Sequence, residues 1–245
     1  MSNLELKGSE LMFRTHNFGE LMTGLTNGEL SVGGKTLVRK IFNEMVRGTS
    51  KFYLDSSSIS KGRECEDMAI KRIGKVMGWG LALNANRIGI ELKDEYGIGH
   101  PDAIYTNRRI GFDAKCSFTD DSFPLFQTKL KDKNYIWQAK RLAMMAGFDG
   151  WWICYSLENT PELIVIKEAW KLWKETGEEG SPTESFIEDV RAMHNFDHLA
   201  DWERVKSFYV PLEDKDIEAI KKHVGLARKY FDDLMEDYRQ LKPNL

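Results

Sequence analysis

The stretch GHPDAIYTNRRIGFDAKCS, residues 99–117, sets two aspartates and a lysine inside two short apolar runs joined by a polar turn. Both runs, HPDAIY and IGFDAKCS, are rich in β-branched and aromatic residues, and the TNRR between them allows them to pair as a hairpin. Side chains alternate between the faces of a strand, so Asp113 and Lys115 project from one side and Phe112, Ala114 and Cys116 from the other. Such a hairpin can bring Asp102 toward the Asp113 end, with the register left open. By itself the pattern is weak, because D-x-K also describes a surface ion pair and Pro-Asp a turn.

Two carboxylates converging at a sheet repel one another unless a cation lies between them, and hard oxygen donors of this kind suit Mg²⁺ or Mn²⁺. Lys115 beside them can orient or deprotonate a water, or neutralise charge building on a phosphate under attack.

Working outward, residues 35–46 repeat apolar positions Leu37, Val38, Ile41, Phe42, Met45 and Val46 at helical spacing. A second helix begins near Ser60 and runs through GRECEDMAIKRIGKVMGWG, with Ile70, Ile73 and Met77 as its seam. NANRIGIELKDEYGIG, HPDAIYT, IGFDAKCS, WWICYSL and ELIVIKE read as strands of one sheet, interrupted after the third by a helix from Asn134, NYIWQAKRLAMMAG. The remainder predicts helices over 167–175, 183–193 and 214–238, with RVKSFYVPL as a strand, and Trp170, Trp173 and Trp202 packing this tail onto the core. No repeat or Pro/Ser-rich linker divides the chain, so 1–245 is expected to be one domain.

On the second helix Glu66 shares the apolar side with Ala69, Ile70, Ile73 and Met77, a position that is costly for a carboxylate without a partner. On the helix after the hairpin, Gln138 sits between Tyr135 and Leu142 on a mostly apolar face, where a half-exposed amide is the plainer alternative.

In order, GRECE, HPDA, DAK and YIWQ resemble the PD-(D/E)XK nuclease superfamily: its G-x-x-x-E helix, P-D strand, acid-x-lysine strand and glutamine helix. More closely, the chain resembles the YqaJ-type viral-recombinase exonucleases, the group that includes bacteriophage lambda exonuclease. FRTHNFGELMTG is similar to that group's opening motif and RVKSFYVPLEDKDIEAIKKHV to its closing strand and helix, so the likeness spans most of the chain.

The resemblance implies an α/β fold with a restriction-endonuclease-like core: a mixed central sheet flanked by helices, with additional C-terminal helices. It also implies a Mg²⁺-dependent 5′-to-3′ exonuclease on double-stranded DNA ends in phage-type recombination. Asp102, Asp113 and the Ala114 carbonyl would ligate metal, Glu66 would complete or steady that shell, Lys115 would act on the water and Gln138 would help hold the site. A homo-oligomer, as a closed ring, and a single-strand annealing protein as partner follow from the same likeness. Asp113 stands where the closest relatives commonly carry Glu, and His16 and Asn17 replace expected serines, which leaves Arg14 as the one candidate kept from the opening segment. The rival functions are an endonuclease of restriction or repair type and a non-catalytic DNA-end-binding scaffold. The intact acidic set argues against the scaffold.

A formal net charge of -3 with a sequence pI near 6.0 excludes a general polycation, so basic surface must be local. Lys61, Arg63, Lys71, Arg72 and Lys75 crowd the glutamate helix, and Lys129, Lys131 and Lys133 the loop before Gln138. Of these, Lys61, Arg63, Lys129 and Lys131, with Tyr135 and Arg14, are the DNA-contact candidates. The loop DSFPLFQTKLKDKN is expected to expose Phe123, Leu125 and Phe126 to grip or split a duplex end, with core packing of the same rings as the alternative.

His194 and His198, four apart, lack the glutamate of a zinc-protease motif and read as an ordinary amphipathic surface. Trp151 and Trp152 open a strand that packs on both faces. Three cysteines without C-x-x-C spacing argue against a disulfide framework or an iron-sulfur site, and the N-terminus lacks the basic start and apolar run of a signal peptide. With no apolar run near the roughly 20 residues a bilayer demands, a cytoplasmic protein without membrane contact is expected, in the host cytoplasm if phage-encoded.

Overall fold

The computed structural model describes residues 5–26, 28–49, 56–80 and 88–241. In chain order these form β1 (Phe13–Arg14), α1 (Phe18–Leu21), β2 (Leu25–Thr26), β3 (Glu29–Leu30), α2 (Val32–Met45) and α3 (Ser57–Val76). There follow β4 (Leu92–Asp94), β5 (Gly97–Gly99), β6 (Ala103–Tyr105), β7 (Ile110–Cys116) and α4 (Lys133–Ala146). The last third holds β8 (Gly150–Ser156), α5 (Glu162–Glu175), α6 (Glu184–Met193), β9 (Val205–Pro211) and α7 (Asp214–Gln240).

The central sheet has the order β6-β7-β8-β9, with β7 and β8 parallel and the outer pairs antiparallel. Both faces are covered, which is why its strands read as apolar runs rather than as a strict alternation. Ala69, Ile70 and Ile73 of α3 pack on Ala103, Phe112 and Cys154, while Ala139, Leu142 and Ala143 of α4 pack on Trp151, Ile153 and Val210. The neighbours Trp151 and Trp152 thus serve opposite faces, the second against α3. A second core joins β1, α1, α2 and α7 through Phe13, Phe18, Leu37, Phe42, Val224 and Phe231.

Gly111 of β7 lies under the Trp151 ring, whose carbons stand 2.1 Å from where a β-carbon would be. Gly111→Ala is therefore expected to destabilise the protein by about 1–3 kcal/mol, as overpacking in a filled core does. Urea unfolding of the variant beside the wild type measures this, and an unchanged midpoint would mean that Trp151 moves aside freely.

Three expectations are corrected. ELIVIKE is not a strand but the start of α5, where Ile164, Val165, Ala169 and Trp173 bury one side and Val165 and Ala169 pack with Val190 of α6. Its Ile-Val-Ile run favours a strand locally, and tertiary packing of the longer amphipathic pattern overrides that preference. Of the stretch 84–99, residues 84–87 lie outside the described residues, and the rest enters a separate sheet in which β5 pairs antiparallel with β4 and parallel with β1. Trp202 is 69% exposed, so of the three tail tryptophans only Trp173 is buried. Among the described residues no helix is long and apolar enough to cross a membrane.

Candidate active site

β6 stops pairing at Ala103↔Phe112, so the outer edge of β7 is open beyond that register. Asp102, the residue before β6, folds back over this edge and its Oδ2 accepts the Ala114 N–H at 2.8 Å. A strand residue turns its N–H and C=O to the same edge, so the Ala114 carbonyl faces the same opening. On the inner side β7 is held by β8 through Asp113↔Ile153 and Lys115↔Tyr155. Asp113 and Lys115 are thus fixed by the best-paired strands of the fold, and Asp102 by the bend that leads into β6.

Asp113 is 1% exposed, and neither carboxylate oxygen makes a close hydrogen bond; longer contacts from the Asp102 N–H, the Trp151 indole and Lys115 offset its burial only in part. Its nearest cation is Lys115, whose Nζ is 3.8 Å from Oδ2. Burial raises the Asp113 pKa above the ordinary carboxylate value, against the opposing charge of Lys115. Burial, and after it the charge of Asp113, pushes Asp102 well above that value. For Lys115 burial acts downward, but the charges of Asp113 and Asp102 outweigh it and hold its pKa above the usual lysine value. Its ammonium also lies 4.9 Å from the centre of the Tyr135 ring, a cation-π contact.

Tyr135 is positioned by the start of α4, where the Asp132 carboxylate accepts the N–H groups of Asn134 and Tyr135 at 2.7 and 3.4 Å. α3 is capped by Ser56, whose hydroxyl accepts the Ile59 N–H at 3.3 Å. Between α3 and the open edge runs a groove of about 430 Å³ lined by Arg63 and Glu66 on one side and by Asp102, Ala114, Lys115 and Tyr135 on the other. A larger concavity of about 720 Å³ lies on the loop over 123–131; Glu66 and Asp102 line the smaller groove, while the buried Asp113 lines neither.

A buried carboxylate without a close hydrogen bond is costly, and a second carboxylate beside it compounds the cost. A divalent cation with oxygen ligands relieves both, so the residues fit a hard metal ion held by Asp102, Asp113 and the Ala114 carbonyl. Among the described residues no three His, Cys, Asp or Glu side chains are grouped to hold a metal ion, while Glu66 lines the groove and its charge acts on both Asp102 and Lys115.

The other candidates separate. Arg63 is exposed on the groove wall, and Lys129 and Lys131 are exposed in the loop between β7 and α4. Gln138 is half-buried on α4, one turn beyond Tyr135, and does not line the groove. Arg14 is exposed on β1, also outside it.

Lys61 is corrected outright. It is 0% exposed, donates to the Phe118 carbonyl at 3.0 Å and lies over the Phe118 and Phe196 rings, and burial pushes its pKa down to about 8. It cannot meet a phosphate. Arg72 is engaged by Glu158 at 2.7 Å and by Asp201, and Lys75 by Asp201 at 2.6 Å. Phe123 is buried against Leu157 and Phe196, leaving Leu125 and Phe126 as the exposed pair. His194 is buried as well, its Nδ1 bonded to the Thr160 hydroxyl at 3.0 Å, so only His198 lies on the surface. The cation-π role of Tyr135 went unread, although its spacing of three from Gln138 marks a shared helix side.

No family model matches the chain, and no curated protein matches it. Solved structures do. The chain shares its fold with a phage-related exonuclease from Haemophilus somnus 129PT at a TM-score of 0.75 and 22% identity, covering 96% of this chain and 99% of that one. An alkaline exonuclease from Laribacter hongkongensis aligns at a TM-score of 0.59 and 12% identity over 94% of this chain and 92% of that one. The same enzyme solved with dAMP gives 0.56 and 13% over the same shares. The mixed sheet between helices is thus the fold of known exonucleases.

Proposed function

We propose that the chain belongs to the YqaJ-type exonucleases and hydrolyses DNA phosphodiesters with bound Mg²⁺, for which Mn²⁺ can substitute, proceeding 5′ to 3′ from double-stranded ends in phage-type recombination. The observation that carries this is the buried carboxylate of Asp113, without a close hydrogen bond, set beside Asp102 and 3.8 Å from the Lys115 ammonium, in an exonuclease fold. A binding module gains nothing from paired acids at a surface that phosphates approach.

When bound, the cation supplies Lewis-acid stabilisation of charge at the scissile phosphate. Asp102 and Asp113 would hold it with the Ala114 carbonyl. Lys115, restrained by Asp113 and the Tyr135 ring, keeps its ammonium at the mouth of the edge, where it orients the attacking water and stabilises charge developing on the phosphoryl oxygens. Arg63 on the groove wall, with Lys129 and Lys131 exposed on the loop, would contact the flanking phosphates. A ring of subunits around the duplex, an annealing protein that receives the product strand, and the host cytoplasm as the compartment complete the reading.

The test is incubation with linear duplex DNA labelled at a 5′ end and with covalently closed circular DNA, each with Mg²⁺ and with chelator. Metal-dependent release of labelled mononucleotide from the linear form alone is expected. Cutting of the circle would mark an endonuclease, and binding without cleavage under several divalent metals a scaffold.

A further inference from the structure

The loop over residues 117–132 leaves β7 after Cys116 and enters α4, so its ends are set by the strand that carries Lys115 and the helix that carries Tyr135. It is internally braced. The Ser122 hydroxyl donates to the Thr119 carbonyl at 2.8 Å and accepts the Thr119 N–H at 3.0 Å, and the N–H groups of Phe123 and Gln127 donate to Asp120 and Pro124 at 2.9 and 3.1 Å. Phe123 anchors the loop in the core, while Phe126, three residues on, is 93% exposed. The exposed Lys129 and Lys131 follow it on the same concave stretch. Folding accounts for Phe123 but not for a phenyl ring presented to water by an ordered loop.

We propose that Phe126 is a stacking platform for an unpaired base of the strand entering the site, with Lys129 and Lys131 contacting the phosphates beside it. The inference rests on the nuclease reading above. Every base has a π-face, so a single exposed ring serves any sequence, as an enzyme digesting arbitrary DNA requires. An exposed ring with only Leu125 beside it, bordered by Lys129 and Lys131, also suits a polyanion better than an apolar protein surface, which would meet a larger contiguous apolar patch.

Anisotropy of fluorescein-labelled DNA, measured with the full chain in chelator so that nothing is cut, tests it. Phe126→Ala is expected to weaken binding of a duplex with a single-stranded overhang roughly 10-fold, the loss typical of one stacked base, and to leave blunt duplex unchanged. Phe126→Tyr is expected to restore overhang binding, and the Lys129→Ala, Lys131→Ala double variant to lower the logarithmic salt slope by about 2. Because Phe126 is exposed, loss of folding does not confound the result. Equal overhang affinity of wild type and Phe126→Ala overturns the stacking role. If the wild type still cleaves linear DNA with Mg²⁺, the nuclease reading stands without it; a wild type that neither binds nor cleaves DNA removes both.

Discussion

Lys115→Ala is expected to lower phosphodiester hydrolysis by about 10²–10⁴-fold, the range lost when a positioned proton donor or charge stabiliser is removed, while DNA affinity stays near wild type. The separation follows from geometry. The ammonium is turned inward to Asp113 at 3.8 Å and to the Tyr135 ring, so it makes a small part of the surface that meets the phosphate backbone. Loss of the cation also leaves Asp102 and Asp113 facing each other, and without metal the variant is expected to be less stable. Single-turnover cleavage should therefore be read in Mg²⁺, with circular dichroism to confirm folding and anisotropy to confirm binding. Near-normal cleavage by a folded variant would remove Lys115 from the site.

Asp113→Asn should act in opposite directions on activity and on stability. Cleavage is expected to fall by about 10³-fold or more, because an amide is a poorer ligand for a hard cation and the buried anion disappears. Without metal, however, the variant is expected to be the more stable protein at neutral pH. The native pKa of Asp113 is raised, so the folded state holds its proton at pH values where the unfolded chain, with an aspartate pKa of about 3.9, has released it. Its contribution to stability is present in full below the unfolded pKa and is lost as pH rises through the raised native value. Asparagine resembles the protonated form and escapes that loss, so the variant's advantage should grow as pH rises from about 4 through the raised native value. Thermal unfolding across that interval, with and without Mg²⁺, measures both effects: Mg²⁺ should raise the wild-type midpoint and leave the variant almost unmoved. A variant less stable than wild type at pH 7 in chelator would show that Asp113 is held by partners other than a metal.

Much of this site was legible because it lies on regular elements. Period-two alternation along β7 places Asp113 and Lys115 together, and the apolar seams of α3 and α4 locate Glu66 and Tyr135 without any coordinates. What stayed hidden depends on long-range packing. The partner of β5 is β1, through Phe13↔Gly97, a register that no local pattern specifies. Lys61 reads as a surface cation because a charge in a sequence carries no sign of its burial beneath Phe118 and Phe196. Phe123 and Phe126 are the same residue type three apart in one loop, and only Leu157 and Phe196 decide which of them turns inward.

The open edge of β7 bears on how the protein behaves in concentrated solution. Unpaired strand edges are where sheets recruit one another, and soluble proteins guard them with inward charges or by capping exposed amides. Here Asp102 occupies the outward Ala114 amide, and the charges of Asp113 and Lys115 flank it. The groups proposed to cut DNA would therefore also guard the edge against pairing with another copy's sheet, which would tie resistance to aggregation to the same few side chains as the chemistry.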